Sequence, residues 1–350
     1  MFFFIYLNNI NMTSILSEII PEHDGIITVI KPNKLNTRLA VGGSDGKINI
    51  FKLSSTNINE QPPLFATQLI RHFHGVLDLD WSPLHPHISL KTFLASVSYD
   101  RTLIIWEETS NNEETLLLYN ESHSYYDHTA PITSCAFTIY KYDLILLCCS
   151  LDGSISLHQL IKDTHSKWSC KYRSKTSSAM YTGVSFSSVF PLGNTNDNGN
   201  DDVTMYTPLQ FVTVTKSGEI VEWSSNEELF SFKMNTIDDG VGYIESVEWL
   251  KAPTREEEVI AVGLNEGKVK VYKKDSDDNS SQWKLTGVIN INDSDNDNEE
   301  GDNEGMVKKG NTNIKVSWSE LGSVLIVCSN GYKVRYFEEN LDNKWEEVYI

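Results

Sequence analysis

The chain has 350 residues, of which 40% are apolar and 22% are charged, as in ordinary soluble globular proteins. Its formal net charge of −19 argues against nucleic acid as the main partner, because phosphate binding needs a concentrated basic face. The five cysteines are odd in number and form no CxxC pair, so we interpret them as buried thiols of a reducing compartment.

The first 20 residues are interpreted as an N-terminal extension that precedes one domain at 21–350. The apolar start from Met1 to Leu7 is far shorter than the roughly 20 residues that span a bilayer, and no clear cleavage site follows it. Met12 is an alternative start, which would leave residues 1–11 untranslated. The sequence has no other long apolar segment, so we expect no direct insertion into a membrane.

One sequence pattern then recurs six times. It consists of an apolar run, a tight turn, and a second apolar run with a ring-bearing side chain six residues after the first turn residue. The turns and their rings are Asp45–Gly46 with Phe51, Asp100–Arg101 with Trp106, Asp152–Gly153 with His158, Ser217–Gly218 with Trp223, Glu266–Gly267 with Tyr272, and Asn330–Gly331 with Tyr336. A fixed repeat of strands and turns determines the fold before any single residue is interpreted.

Each unit is predicted to form four short strands, as the second unit illustrates. Its strands are expected at Val76–Trp81, Phe93–Ser98, Thr102–Trp106 and Leu116–Tyr119. A four-stranded unit cannot bury both of its faces alone, and radial stacking of such units in a β-propeller does so. We therefore predict an all-β fold, a propeller of six blades.

Two polar insertions interrupt this frame, at 193–206 in the fourth unit and at 290–311 before the sixth. The second insertion has seven acidic residues and no basic one between Asn290 and Gly305. It is interpreted as a solvated, disordered loop, with an acidic docking segment for a basic partner as the alternative.

Two units repeat a set of polar residues that suggests a hydrogen-bonded clamp. In this clamp, an aspartate in the turn orients a histidine, the histidine bonds a serine, and the serine reaches the ring of the same unit. The predicted members are His72, Ser98, Asp100 and Trp106 in the second unit, and His128, Ser150 and Asp152 in the third. A catalytic Ser–His–Asp triad is disfavoured, because a triad would not recur in successive blades.

The histidines at 72, 74, 85 and 87 could in principle bind zinc, but no Cys or acidic ligand stands at a matching spacing. The sequence also has no phosphate-binding glycine loop, no HExxH motif and no recognisable pair of catalytic carboxylates. We expect no catalytic residue, no metal and no cofactor.

The segment Leu94–Trp106 resembles a WD repeat. From about Met12 onward, the chain also resembles the six-bladed WD-repeat propeller of the COPII vesicle outer coat, which is shared with the Y-shaped scaffold of the nuclear pore. The residues that carry this resemblance are His72–Trp81 with Leu94–Trp106, Ala130–Phe137 with Leu144–Ser150, and Gly322–Cys328 with Lys344–Glu346. The C-terminal segments, Gly322–Cys328 and Lys344–Glu346, favour the coat subunit over the related propeller of the nuclear pore.

The resemblance implies a non-enzymatic scaffold that serves ER-to-Golgi transport. In this family the propeller is open, and a helical-solenoid partner donates the blade that fills the gap, by adding strands to exposed sheet edges. The implied partners are the solenoid subunit of the COPII cage and a solenoid nucleoporin of the Y-complex. The implied locations are the cytoplasm, the surface of the ER membrane and of COPII vesicles, and the nuclear pore.

The donated blade is expected at two edges of the chain. The candidate residues are Ile26, Ile27, Val29 and Ile30 near the start, and Val334, Tyr336 and Phe337 near the end. Residues 345–350 can supply the outer strand of the sixth unit. The alternative is that Ser14–Ile20 forms a closing strand and completes the ring.

Three other functions remain as alternatives. One is a sibling propeller of the nuclear pore or of a nutrient-signalling complex, and the second is a generic WD-repeat adaptor that binds a peptide on its top surface. The third, an enzyme on a propeller, is disfavoured because no acid, base or metal set converges in the sequence.

Overall fold

The computed structural model describes residues 23–53, 63–84, 91–110, 117–141, 143–161, 167–188, 191–192, 205–206, 208–226, 230–251, 257–275, 282–291, 313–319, 321–330 and 333–349. This part of the chain forms strands, turns and loops, with no helix among the described residues.

Six antiparallel sheets of four strands follow one another along the chain. The first three blades consist of β1 (Ile27–Pro32), β2 (Arg38–Gly43), β3 (Lys47–Lys52) and β4 (Leu64–Ile70); β5 (Val76–Trp81), β6 (Phe93–Ser98), β7 (Leu103–Ser110) and β8 (Leu117–Tyr125); and β9 (Ile132–Tyr140), β10 (Asp143–Ser150), β11 (Ile155–Ile161) and β12 (Lys167–Arg173).

The fourth blade also carries a separate two-stranded hairpin, formed by β14 (Pro191–Leu192) and β15 (Met205–Tyr206). The remaining strands are β13 (Tyr181–Phe186), β16 (Gln210–Thr215), β17 (Ile220–Ser225) and β18 (Phe232–Asp238) in the fourth blade; β19 (Ile244–Trp249), β20 (Glu257–Leu264), β21 (Lys268–Asp275) and β22 (Lys284–Asn290) in the fifth; and β23 (Ile314–Trp318), β24 (Val324–Ser329), β25 (Lys333–Glu339) and β26 (Trp345–Val348) in the sixth.

The predicted six-bladed, all-β architecture is confirmed. In the second blade, the first two predicted strands agree with β5 and β6 at both ends. The other two run further than predicted, because β7 continues to Ser110 and β8 to Tyr125. The outer strand expected at the C-terminus is present as β26.

The first strand of each blade packs against the first strand of the next, in the order β1, β5, β9, β13, β19 and β23. Among the described residues, no comparable contact joins β23 back to β1. Within the described part of the chain, the sheets therefore form an open series, with a gap between the sixth and the first blade.

The cores lie between blades, which explains why the second strand of each blade is apolar on both faces. Five apolar clusters are shared by neighbouring blades, from the pair of first and second blades to the pair of fifth and sixth. A sixth cluster belongs to the first blade alone and consists of Leu39, Val41, Phe51 and Leu53, with Ile27 and Ile30 packed against it. Among the residues that the structure describes, six blades thus have five shared cores.

The ring of the sixth blade is Phe337, and the prediction of Tyr336 was wrong by one residue. The hairpin pairs Ser329 with Lys333 and Leu325 with Phe337, which places Phe337 opposite the same strand position as Trp106 in the second blade. Phe337 is buried in the core shared with the fifth blade. Tyr336 faces the opposite side of the sheet, because successive side chains of a strand alternate.

Several predicted segments lie largely or wholly outside the described residues. They are the extension at 1–20 with its candidate closing strand Ser14–Ile20, the acidic insertion at 290–311 beyond Ile291, and most of the insertion at 193–206, of which β15 is described.

Candidate functional site: the gap between the sixth and first blades

The second blade is held by a set of polar contacts between its own loops and strands. His72 Nδ1 lies 3.2 Å from Asp100 Oδ2, and His72 Nε2 lies 2.8 Å from Ser96 Oγ. The Trp106 indole N–H donates to the same Ser96 hydroxyl over 2.9 Å. The link between histidine and ring is therefore Ser96, and the prediction of Ser98 is corrected.

The third blade makes the same link from a different strand. His128 Nδ1 lies 3.0 Å from Asp152, and both His128 Nε2 and His158 Nε2 approach Ser156 Oγ, at 3.0 and 3.1 Å. Ser156 replaces the predicted Ser150. It lies on β11 opposite Cys148, whereas Ser96 lies on β6 opposite Ile104, so the hydroxyl has moved across one strand pair.

Ser98 and Ser150 do not hydrogen-bond to the clamp histidine or to the ring, and instead bind the loop that precedes the first strand of their blade. Each hydroxyl contacts two carbonyls of the loop before the blade's first strand, at 2.9–3.0 Å, and accepts the N–H of the aspartate two residues later. Their position is fixed by the turn, which is why the two serines recur at the same distance from the aspartates.

The sequence interpretation missed a third histidine–aspartate pair in the first blade. His23 Nδ1 lies 3.0 Å from Asp45 Oδ1, and His23 Nε2 lies 3.2 Å from the Val41 carbonyl. His23 stands four residues before Ile27, as His72 stands four before Val76. In the second and third blades the histidine also lies nine residues before a ring, Trp81 and Phe137, whereas Pro32 stands at that distance from His23.

Burial acts against the charged form of these groups, and hydrogen bonds decide the result. Burial would raise the pKa of Asp100, but His72 and Thr102 hold it below its usual value. The pKa of Asp152 is also lowered against burial, by Ser154, the Thr129 N–H and His128. Burial, with His123 and His128 nearby, lowers the pKa of His158 to about 3. The clamps thus favour ionised aspartates and a neutral His158.

Neighbouring blades are joined by a second set of contacts, which we call clasps. Three are made by the threonine at the second position of a blade's first strand, where a β-bulge occurs. Its hydroxyl contacts the first carbonyl of the next blade's first strand: Thr28 to Val76 (2.5 Å), Thr133 to Tyr181 (2.9 Å) and Thr182 to Ile244 (2.9 Å).

The other two interfaces use variants of the clasp. Between the second and third blades, the Asp78 carboxylate accepts from the Ser134 hydroxyl at 2.8 Å and the Cys135 N–H at 3.0 Å. Between the fifth and sixth, the Ser246 hydroxyl donates to the Ile314 carbonyl at 2.8 Å. All five blade interfaces that the chain forms itself are therefore clasped.

The sixth blade has Lys315 at the clasp position. Its first strand pairs one-to-one with β24, without the bulge of the other five blades. The Lys315 ammonium lies 3.4 Å from the Glu245 carbonyl of the preceding blade, so its contact points backward along the ring. The gap thus lacks both a shared core and a forward clasp among the described residues.

The predicted edge residues divide between the gap and the neighbouring cores. Ile27 and Ile30 pack on the cluster of the first blade, and Ile26 is 69% exposed. Val334 and Tyr336 share the face of the sixth blade that is turned away from the fifth. Two assignments are corrected: Val29 packs in the core shared with the second blade, and Phe337 in the core shared with the fifth.

An exposed ring extends the apolar surface of the first blade. Phe65, on β4, meets Phe51 edge-to-face with a centroid separation of 5.8 Å and is 43% exposed. Its neighbour Leu64 is 66% exposed. Exposed apolar side chains beside an unshared core are typical of a surface that a partner covers.

The described residues contain no group of three or more His, Cys, Asp or Glu arranged to hold a metal ion. Of the histidines considered for zinc, His85 and His87 lie outside the described residues. The described part of the chain also has no helix with the length and apolarity needed to cross a bilayer.

Known proteins agree with this architecture. The family model for the WD domain, G-beta repeat, matches residues 65–107 and 119–159. A solved structure, Sqt1 of Saccharomyces cerevisiae, is similar over 94% of this chain and 75% of its own, with a TM-score of 0.59 at 13% identity, which supports the fold alone. The fold and its repeats define a WD-repeat β-propeller protein.

Similarity over almost the whole chain relates it to a smaller group of WD-repeat proteins. The chain is 27% identical over 93% of its length to the protein transport protein SEC13-2 of Candida glabrata, of which the match covers 97%. It is 24% identical to the SEC13 homolog of Drosophila melanogaster over 96% of this chain and 84% of that one. It is 23% identical to the protein transport protein sec13 of Aspergillus oryzae, over 89% of this chain and 95% of that one. The chain is therefore similar to Sec13 proteins over nearly its whole length.

Proposed function

We propose that this chain is a non-enzymatic scaffold subunit of the COPII outer coat, which accepts a β-blade from a helical-solenoid partner between its sixth and first blades. The relatives named as protein transport proteins support a role in protein transport. The observation that carries the blade insertion is that the described residues form five shared cores and five clasps for six blades.

An inserted blade would supply what the gap lacks. Its two faces would cover the cluster around Phe51 on one side and the face of Val334 and Tyr336 on the other. Burial of apolar surface contributes about 25 cal/mol per Å², so such a blade would stabilise the complex and the first and sixth blades together.

The polar sets of the blades support a structural rather than catalytic role. The Ser96 hydroxyl is buried between His72 and Trp106, so it has no access to a substrate. The corresponding Ser156 is buried between two imidazoles. A nucleophile needs an exposed approach for the reacting atom, and neither serine has one.

The same subunit is proposed to serve in the Y-shaped scaffold of the nuclear pore through the same gap. Its proposed locations are the cytoplasm, the surface of the ER membrane and of COPII vesicles, and the nuclear pore. Both assemblies would use one interface, so binding of the coat solenoid and of the pore solenoid would be mutually exclusive.

The test is affinity purification of the full chain with the COPII outer-coat solenoid of the same cell. Phe65→Glu places a charge on the exposed part of the gap surface and is expected to abolish recovery of the solenoid. Met234→Glu is the matched control, because Met234 is 61% exposed on an outer strand of the fourth blade. This control is expected to retain full recovery.

Two results would overturn the proposal. One is a wild-type chain that recovers neither the coat nor the pore solenoid. The other is a Phe65→Glu variant that recovers the solenoid as well as Met234→Glu does. Recovery of unrelated proteins that is lost on mutation of the top loops would favour a generic peptide-binding adaptor instead.

A further inference from the structure

The clasps define what chemistry the missing interface needs. In the three threonine clasps, the hydroxyl also approaches a carbonyl of its own blade: Gly42 at 3.1 Å, Cys149 at 3.3 Å and Val214 at 3.4 Å. A hydroxyl has one hydrogen to donate, and in each pair the shorter contact is the one to the next blade. The threonine therefore serves the blade interface first.

The acceptor is the same backbone position each time. Thr28, Thr133, Thr182 and Ser246 each donate to the carbonyl of the first residue in the next blade's first strand, and those residues are Val76, Tyr181, Ile244 and Ile314. The equivalent residue of the first blade is Ile27, because it begins β1 and precedes the bulge. Its carbonyl would receive the clasp from whatever blade precedes the first.

The donor side of the gap is also defined. Lys315 takes the second position in the first strand of the sixth blade, is exposed, and carries an ammonium, which can only donate. A carbonyl of an inserted strand that lies within reach of this ammonium would accept the hydrogen bond that the threonine hydroxyl donates elsewhere.

Building on the proposed function, we infer that the inserted blade is clasped on both sides: its first strand bears a serine or threonine that donates to the Ile27 carbonyl, and its first carbonyl accepts from Lys315. The partner is therefore a strand with a hydroxyl at its second position, and Lys315 is a specificity-determining residue of the gap. These two hydrogen bonds would fix the height of the inserted strand's first residue relative to the first and the sixth blade.

The experiment measures the affinity of the full chain for the COPII outer-coat solenoid by calorimetry or surface plasmon resonance. Lys315→Thr and Lys315→Val have side chains of nearly the same shape, and both remove the contact with Glu245. Only threonine keeps a donor. We expect Lys315→Thr to bind within twofold of wild type and Lys315→Val to bind about fivefold more weakly, the effect of one hydrogen bond.

A second arm changes the partner. Replacing the hydroxyl residue at the second position of its inserted strand, serine by alanine or threonine by valine, is expected to weaken binding about fivefold as well. Thr236→Val in this chain is the matched control, because it also removes only a hydroxyl and Thr236 is exposed on the outer strand of the fourth blade, away from the gap. It is expected to leave the affinity unchanged.

The outcomes separate the inference from the proposed function. If the wild-type chain does not bind the solenoid, the proposed function fails. If it binds and Lys315→Val, Lys315→Thr and wild type have equal affinities, or if the inserted strand has no hydroxyl at its second position, the clasp inference alone is overturned. Urea unfolding of each variant without partner, expected to match wild type, shows that the variants fold.

Discussion

The second and sixth blades have the same four strands but differ in what holds them. In the second blade, a histidine, an aspartate, a serine and a tryptophan join the top loop to the sheet, and clasps join it to both neighbours. In the sixth blade the ring is Phe337, which has no polar atom, and the clasp position holds Lys315. Two blades with the same number of strands therefore differ in the polar contacts that stabilise them. These contacts lie between loop and sheet within a blade, and between neighbouring blades.

The largest test of this comparison is the loss of Asp100. Asp100→Ala removes the acceptor of His72, of the Thr102 hydroxyl and of two backbone N–H groups, those of Phe73 and Thr102. We expect the free energy of unfolding to fall by about 3 kcal/mol, measured by urea denaturation. Asp342→Ala, in an exposed turn of the sixth blade, is expected to change it by less than about 0.5 kcal/mol. If Asp100→Ala and Asp342→Ala lower the free energy of unfolding equally, the polar contacts of Asp100 do not stabilise the second blade.

The second test uses a titratable ring at the position that Trp106 fills in the second blade. The pKa of His158 is about 3 in the folded chain and about 6.5 when exposed, so below pH 6.5 the unfolded chain binds the extra proton. Stability is therefore lost as the pH falls from about 6.5 towards 3. Between pH 7 and pH 5, we expect His158 to account for a loss of about 2 kcal/mol.

The control for this pH effect is His158→Phe, since Phe51 shows that a ring without a nitrogen can occupy the position. In urea denaturation at pH 7 and pH 5, the variant should lose about 2 kcal/mol less than wild type does over this interval. An unchanged pH dependence would show that His158 has the same pKa in the folded and the unfolded chain, contrary to its burial.

A third and smaller effect sharpens the role of the indole in the second blade. Trp106→Phe removes the N–H that donates to Ser96 and is expected to lower the free energy of unfolding by about 1.5 kcal/mol. In a double-mutant cycle with Ser96→Ala, the two changes should couple by about 1 kcal/mol. If the cycle uses Ser98→Ala instead, we expect additive effects. Coupling to Ser98 in place of Ser96 would favour the clamp that the sequence predicts.

The number of blades, the inner strands and the positions of five of the six rings follow from sequence because they repeat. Periodicity could not locate Ser96 and Ser156, since they lie on different strands and have no common spacing from the ring. His23 was missed because Pro32, and not a ring as in the second and third blades, lies nine residues after it. The Asn330–Gly331 pair suggested a turn one residue too early, since the register of a hairpin depends on backbone pairing that two turn residues do not fix.

The smallest effect tests the clasps directly, without a partner. Thr133→Val keeps the shape of the side chain but removes the hydroxyl that reaches the Tyr181 carbonyl of the fourth blade. We expect a loss of about 1 kcal/mol in the free energy of unfolding, because one hydrogen bond is lost and a half-buried carbonyl loses its donor. Ser317→Val on the first strand of the sixth blade should cost close to nothing, since that serine is exposed. If the two valines cost the same, the clasps contribute nothing, and the open side of the propeller would differ from its closed interfaces in apolar contact alone.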